Sequence, residues 1–366
     1  MKKLYRFYLR SSALYVNIGL MFLKLKNRIE VELTNYIRSI DKLYSLRKNS
    51  PLIFRHIKDF ILRRGKRLRP ILFILGYLGF AKKAAAGLYQ SAISLELLHD
   101  FMLIHDDIID KAITRRGKPS MHELLNKYLA KYKNIKFNGQ DLAIITGDIV
   151  HTLAIQAFLS IAINPQCKER ALKKLLEAAV YTEKGEFMEL LAGLKSFEQI
   201  SKTDIYKIYD YKTAAYSFAF PLTIGATLAH AKQNDINKLF ACGIYLGRAF
   251  QIKDDILNIF AEEQETGKPT LSDLQEAKKT ILIWYAYHHA NKEGKLTIRR
   301  AFTKNKLNKK DLLEMQEIIL KTGSLSYAKK EISNYVNIAQ RCLTSTKMYP
   351  RYKKLLLEYS RSIINI

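Results

Sequence analysis

The chain has 366 residues, 48% of them hydrophobic, and its 61 Lys and Arg against 34 Asp and Glu give a formal charge of +27. The three cysteines, Cys167, Cys242 and Cys342, are odd in number and widely spaced, which argues against a disulfide framework or a cysteine zinc site and for packing thiols in a reducing, cytoplasmic setting. The charge favours anionic substrates and anionic lipid headgroups, but no DNA- or RNA-binding motif and no basic stripe interleaved with exposed aromatics is apparent, so no nucleic-acid partner is expected.

Residues 1–29 form a basic N-terminal extension with no acid, in which Lys2, Lys3, Arg6, Arg10, Lys24, Lys26 and Arg28 surround the apolar run Ala13 to Leu23. That run is too short to span a bilayer. An added surface helix, peripheral contact with an anionic membrane and a targeting peptide all remain open for it. Residues 30–366 read as one helical domain. A basic cluster, Gly65-Lys66-Arg67-Leu68-Arg69-Pro70, comes first, followed by an apolar stripe at helical spacing through Leu95, Leu98, Met102 and His105. Acids follow in His105-Asp106-Asp107-Ile108-Ile109-Asp110, then Arg115-Arg116, then a second stripe through Ile144, Gly147, Ile149 and Leu153. Further on stand Lys212-Thr213, a second acidic segment from Gln251 through Asp254, Asp255 and Asn258, and Gly267-Lys268. Connections are expected near Asn134 to Gly139, Asn164 to Cys167, Glu262 to Thr270 and Asn291 to Lys295. Only 7 Pro and 16 Gly punctuate the chain and no GxxxxGK[ST] loop occurs, which sets aside Rossmann and P-loop folds and predicts an all-α protein.

Carboxylates flanked by Leu, Ile, Met and Phe need a counter-charge, because an unpaired charge in a low-dielectric site is very costly. Asp106 and Asp110 stand four residues apart on one helical face, with Asp107 turned aside. Asp254 and Asn258 repeat the separation, and Gln251 precedes Asp254 by a turn. Oxygen-only ligands suit Mg²⁺, which shares its remaining positions with substrate phosphates. The nearby Arg and Lys residues supply the forks and point charges that phosphate oxygens also accept.

In order along the chain, Gly65 to Pro70, His99 to His122, Gly147-Asp148, Gly185-Glu186, Lys212-Thr213 and Gly247 to Thr280 resemble the motifs of the trans-isoprenyl diphosphate synthases, the polyprenyl synthetase family. The resemblance implies a single large bundle of ten or more helices around a central cavity, normally in a homodimer. It also implies transfer of an allylic prenyl group to isopentenyl diphosphate. Asp106, Asp110 and Asp254 would hold about three Mg²⁺ ions, with Asp107, Asp255 and Asn258 holding waters or neighbouring ligands. Arg115, Lys212 and Lys268 would complete the grip on the allylic diphosphate. Lys66, Arg69, His99 and Arg116 would hold the diphosphate of isopentenyl diphosphate, and Thr213 and Gln251 would flank the carbocation. Phe101 and Met102, one turn before Asp106, would block the growing tail. An aromatic at Phe101 with nothing inserted in the motif resembles synthases of the C20 geranylgeranyl product; a C15 or longer product is the alternative. A class I terpene synthase and a non-catalytic partner subunit fit less well, since both acidic motifs and both basic clusters are present. Asn258 departs from the family's last Asp and keeps an oxygen at that place.

Overall fold

The computed structural model describes residues 13–261, 272–304 and 307–364, and among these the chain is almost wholly helical. In chain order the helices are α1 (Ala13–Tyr44), α2 (Leu46–Asn49), α3 (Pro51–Ile61), α4 (Leu68–Leu78), α5 (Leu88–Ala92), α6 (Ser94–Ile109), α7 (Met121–Leu129), α8 (Gly139–Phe158) and α9 (Pro165–Leu194). They continue as α10 (Lys202–Tyr209), a π-helical stretch Asp210–Ala219, α11 (Phe220–Leu228), α12 (Gln233–Phe260), α13 (Ser272–Gln275), α14 (Ile281–His289), α15 (Lys292–Thr303), α16 (Lys309–Lys321), α17 (Ser324–Thr344) and α18 (Pro350–Ile364). One two-residue hairpin, β1 (Thr114–Arg115) with β2 (Lys118–Pro119), interrupts the pattern. The all-α expectation holds. The chain forms two compact units, one of residues 1–173 with 224–231 and one of residues 174–223 with 232–366.

In the first unit α1 buries Leu25, Ile29, Leu33, Tyr36, Ile37 and Ile40, a three-and-four spacing that gives it one apolar stripe. This helix runs unbroken through residues 29 and 30, so the later part of the basic segment continues into the folded chain; residues 1–12 lie outside the described residues. α4 buries nearly every residue from Pro70 to Leu78 and is a core helix. α6 packs on α8. Of the sequence stripe Gly147 and Leu153 are buried, Ile149 is half-buried and Ile144 is exposed; Ala143, Val150 and Ala154 complete the buried face. Close approach of two helices selects small side chains, which a reading based on bulky apolar residues passes over.

Two expected connections are helix starts. The Asn164 side chain accepts from the Gln166 N–H at the head of α9, and Asn291 caps α15 by accepting from the Gly294 N–H. Asparagine is favoured in both roles, turn and N-cap, and sequence does not separate them. The third, Glu262 to Thr270, lies outside the described residues. In the second unit α12 is the central helix, packed on α17 and on the π-helical stretch. Its buried positions Leu239, Cys242, Leu246, Ala249, Ile252, Ile256 and Ile259 again step by three and four. All three cysteines are free thiols.

Candidate active site

Helix α6 presents two different acidic faces. Glu96, Asp100 and Asp107 recur at i, i+4 and i+11 and are buried, whereas Asp106 and Asp110 lie about a third of the way round, one turn apart and half-exposed. His99 shares the Asp106 side. The buried face meets the hairpin. Arg116 and Gly117 occupy its two central positions with φ of 55° and 73°, the left-handed backbone that a two-residue hairpin turn needs and that Gly117 adopts without strain. Such a turn throws Arg115 and Arg116 back onto α6.

Arg115 donates from Nε to Asp107 Oδ1 at 2.7 Å, makes a second, closer contact with it through Nη2, and has Nη2 3.8 Å from Asp106 Oδ2. Its backbone carbonyl accepts from Arg63 Nη1 at 3.2 Å, and Asp59 binds both Arg63 and Lys118, which ties the hairpin to α3. Burial pushes the Asp107 carboxyl up, and Arg115 opposes that shift. Asp107 is therefore the tether of Arg115, a sharper role than the water-holding one expected from sequence.

Arg67 is the interior counterpart. Its backbone is left-handed, φ 53°, and its side chain is wholly buried. It donates to Glu30 Oε1 (2.9 Å) and Oε2 (3.2 Å), Glu96 Oε1 (2.6 Å), and the carbonyls of Ile61 (3.0 Å) and Arg63 (2.7 Å). These bonds lock α1, the turn before α4 and α6 together and fix the backbone between which Lys66 and Arg69 project. Lys66 is exposed and Arg69 half-buried. Arg116 completes the group, 3.5 Å from Glu96 Oε1 and 3.3 Å from Asp100 Oδ1.

Burial alone would raise the Glu96 carboxyl, but the Arg67 and Arg116 guanidiniums hold it below its ordinary range. For Asp100 burial prevails over Arg116 and the carboxyl is pushed up to about 7. His99 is held well below the usual imidazole range, first by desolvation and then by Arg69 and Arg116, so it is neutral at pH 7. A raised native pKa at Asp100 means that its contribution to stability is complete below the unfolded carboxyl range and is lost as pH rises through about 7. Asp100→Asn is therefore expected to melt progressively higher relative to the parent from about pH 4 to about pH 7 and to keep a constant lead above that, followed by thermal denaturation across pH 4 to 8.5; a constant offset throughout would contradict it.

Phe101 turns away from Asp106 toward α8, where its ring stacks on His151 at 4.7 Å and meets His105 edge-on at 4.7 Å. Met102 is buried on the Asp106 side of the helix. His105 reaches the Ile144 carbonyl at 3.2 Å.

In the second unit the π-helical stretch carries Lys212 and Thr213, a wide turn of the kind that often marks functional positions. Lys212 Nζ lies 2.5 Å from both Glu186 Oε2 and Glu189 Oε2 of α9. Thr213 donates to Gln251 Oε1 at 2.7 Å, Gln251 donates to Asp255 Oδ1 at 2.9 Å, and the other Asp255 oxygen accepts from Tyr209, whose hydroxyl in turn accepts the Ile281 N–H at 2.8 Å. Gln251 thus serves Asp255, four residues on along the helix. Asp255 is buried and Asp254 half-exposed, while Asn258 is buried. This chain of bonds requires close approach of α12. A Cβ at Gly247 would lie 2.2 Å from the Ala214 Cα, so Gly247→Ala is expected to cost about 1–3 kcal/mol and lower the thermal midpoint. Lys268 lies outside the described residues.

Both acidic segments therefore share one arrangement, in which the second Asp of each pair is buried and tied down and the first is left toward solvent. Half-exposed carboxylates one turn apart, offering only oxygen, fit a hard divalent cation such as Mg²⁺. Sequence reasoning missed Arg67 as an anchor and also missed Glu96, Asp100 and Tyr209. The two acids carried the signal already used for Asp106, charge within an apolar helix; Tyr209 carried none.

Over 93% of its length the chain matches the crystal structure of a geranylgeranyl pyrophosphate synthase from Corynebacterium glutamicum, complexed with isoprenyl diphosphate and magnesium, with a TM-score of 0.85, 26% identity and 98% of that chain covered. The fold is that of the all-α isoprenyl diphosphate synthases. The sequence model described as Polyprenyl synthetase matches residues 50–319, and the chain belongs to that family. It is 30% identical over 339 residues to a geranylgeranyl diphosphate synthase of Sulfolobus acidocaldarius, covering 90% of this chain and 96% of that one. It is 32% identical over 307 residues to a geranylfarnesyl diphosphate synthase of Aeropyrum pernix, covering 81% and 89%.

Proposed function

We propose that the chain is a trans-prenyl diphosphate synthase that joins isopentenyl diphosphate to an allylic diphosphate, releases diphosphate and yields the C20 geranylgeranyl product. Alongside the family membership, one observation carries the reading. Helix α6 has a half-exposed acid pair, Asp106 and Asp110, with Arg115 and Arg116 held close to it by the buried Asp107 and Asp100, and a reaction between two diphosphates needs both a metal-mediated and a direct cationic grip.

In this reading Asp106, Asp110 and Asp254 would hold Mg²⁺, which when bound would supply positive charge against that developing on the leaving diphosphate. Arg115, kept in place by Asp107, and Lys212, released from Glu186 and Glu189, close on the same diphosphate, joined by Lys268. Lys66, Arg69 and Arg116 bind the diphosphate of isopentenyl diphosphate, and neutral His99 donates a hydrogen bond to it without adding charge. Thr213 and Gln251 present oxygens toward the allylic cation, whose carbon is attacked by the isopentenyl double bond. The proton then lost has no His or Glu base prepared for it and passes to the released diphosphate. A homodimer belongs to this reading, supported by the outward apolar stripe Leu176, Val180, Phe187, Leu191 and Leu194 on α9, with Leu194 84% exposed.

Purified protein incubated with Mg²⁺, labelled isopentenyl diphosphate and dimethylallyl, geranyl or farnesyl diphosphate is expected to give a C20 product; no elongation from any primer would reject the synthase reading. Phe101→Ala is expected to lengthen the product. His151→Ala should do so as well, because it removes the ring against which Phe101 stacks. An unchanged product from Phe101→Ala would remove Phe101 as the floor.

A further inference from the structure

The segment joining α7 to α8 corrects the expectation that no basic stripe interleaves with exposed aromatics. From Lys127 to Phe137 the sequence reads Lys-Tyr-Leu-Ala-Lys-Tyr-Lys-Asn-Ile-Lys-Phe, with no acid between Glu123 and Asp141. Every residue from Ala130 to Asn138 is exposed. Tyr132, Ile135 and Phe137 are 48%, 40% and 47% exposed, among Lys127, Lys131, Lys133 and Lys136. Helical periodicity hid this stripe, because it lies largely in a loop whose exposure sequence does not state.

The loop is prepared at both ends. Asn126 Oδ1 accepts from the Gly139 N–H at 2.8 Å and closes its base, while Asn138 caps α8 by accepting from Gln140 and Asp141. Within it Lys131 Nζ sits 4.1 Å from the Tyr128 ring centroid and 5.2 Å from that of Tyr132, and the two hydroxyls are 3.1 Å apart. A tyrosine pair with a lysine across its rings and two apolar side chains beyond it is the composition that settles at a lipid headgroup boundary, with Tyr and Lys in the polar layer and Ile and Phe below.

We infer that residues 127–137 form a docking surface for an anionic lipid bilayer. Charge complementarity selects that occupant: three lysines on one short loop, a fourth at the end of α7 and no acid among them attract a negative surface, each by an amount that matters only collectively. Nucleic acid is disfavoured by the same residues. The stripe contains no Arg fork for phosphate or base edges, and Ile135 offers no face on which a base could stack. None of residues 127–137 is among those assigned to the diphosphates.

The test is flotation of the full-length protein with vesicles of equal phosphatidylglycerol and phosphatidylcholine, against vesicles of phosphatidylcholine alone, at 0.1 M salt. The parent is expected to float with the anionic vesicles only. Lys127→Gln/Lys131→Gln/Lys133→Gln/Lys136→Gln and, separately, Ile135→Ser/Phe137→Ser should each weaken partitioning by more than about tenfold. Both should keep the parent's thermal midpoint and its elongation rate in vesicle-free buffer. Equal partitioning of parent and both variants would overturn the inference, as would a parent that binds neither vesicle or prefers a single-stranded oligonucleotide to the anionic vesicles.

Discussion

Arg67→Met is expected to destabilise the protein by about 3–5 kcal/mol, the penalty for stripping a buried charge of its partner. Glu96 is 2% exposed and would be left with the longer contact to Arg116 and the charge of Arg69, and the carbonyls of Ile61 and Arg63 would each lose a donor. Arg116 would be drawn toward Glu96 and away from Asp100, so the loss reaches the hairpin that carries Arg115. Two companions separate the causes. Arg67→Gly relieves the left-handed backbone but removes the same guanidinium, and should be nearly as damaging as Arg67→Met. Arg67→Met/Glu96→Gln removes the orphaned charge and should recover part of the loss. Denaturant melts would read all three; a stable Arg67→Met would contradict the anchor.

Asp106→Ala and Asp254→Ala are expected to behave in the opposite way, with a rate loss of about 10³-fold or more and little loss of stability. Each residue is half-exposed, where an ion pair contributes little to stability, so its removal costs the folded state little. Asp255→Ala should instead melt lower, by about 1–3 kcal/mol, because Tyr209 and Gln251 lose a buried acceptor. Steady-state kinetics and thermal melts on the same preparations would separate the two patterns.

The all-helical fold was legible because apolar residues at three-and-four spacing leave few other solutions, and the acidic segments were legible because charge inside apolar helices is rare without a purpose. The division within each Asp pair was not. Asp106 and Asp107 are chemically identical neighbours, and which one is tied down depends on where a hairpin returns Arg115, a tertiary fact. Arg67 read as one more cation of a basic cluster, although its side chain turns inward while Lys66 is exposed to solvent. Gln251 was placed one turn before Asp254 by counting, but counting does not show that its amide reaches Asp255 while Thr213 holds its oxygen. Ile144 was placed in a core stripe for its bulk, whereas close helix packing chose its neighbour Ala143.

The rate of prenyl elongation as a function of Mg²⁺ concentration, measured side by side for Asp106→Asn and Asp107→Asn, tests this division most directly. The account predicts that Asp106→Asn needs far more Mg²⁺ for half-maximal rate and melts like the parent, while Asp107→Asn keeps the parent's Mg²⁺ requirement and melts lower. A shifted Mg²⁺ requirement in Asp107→Asn, with the parent's requirement retained in Asp106→Asn, would contradict it.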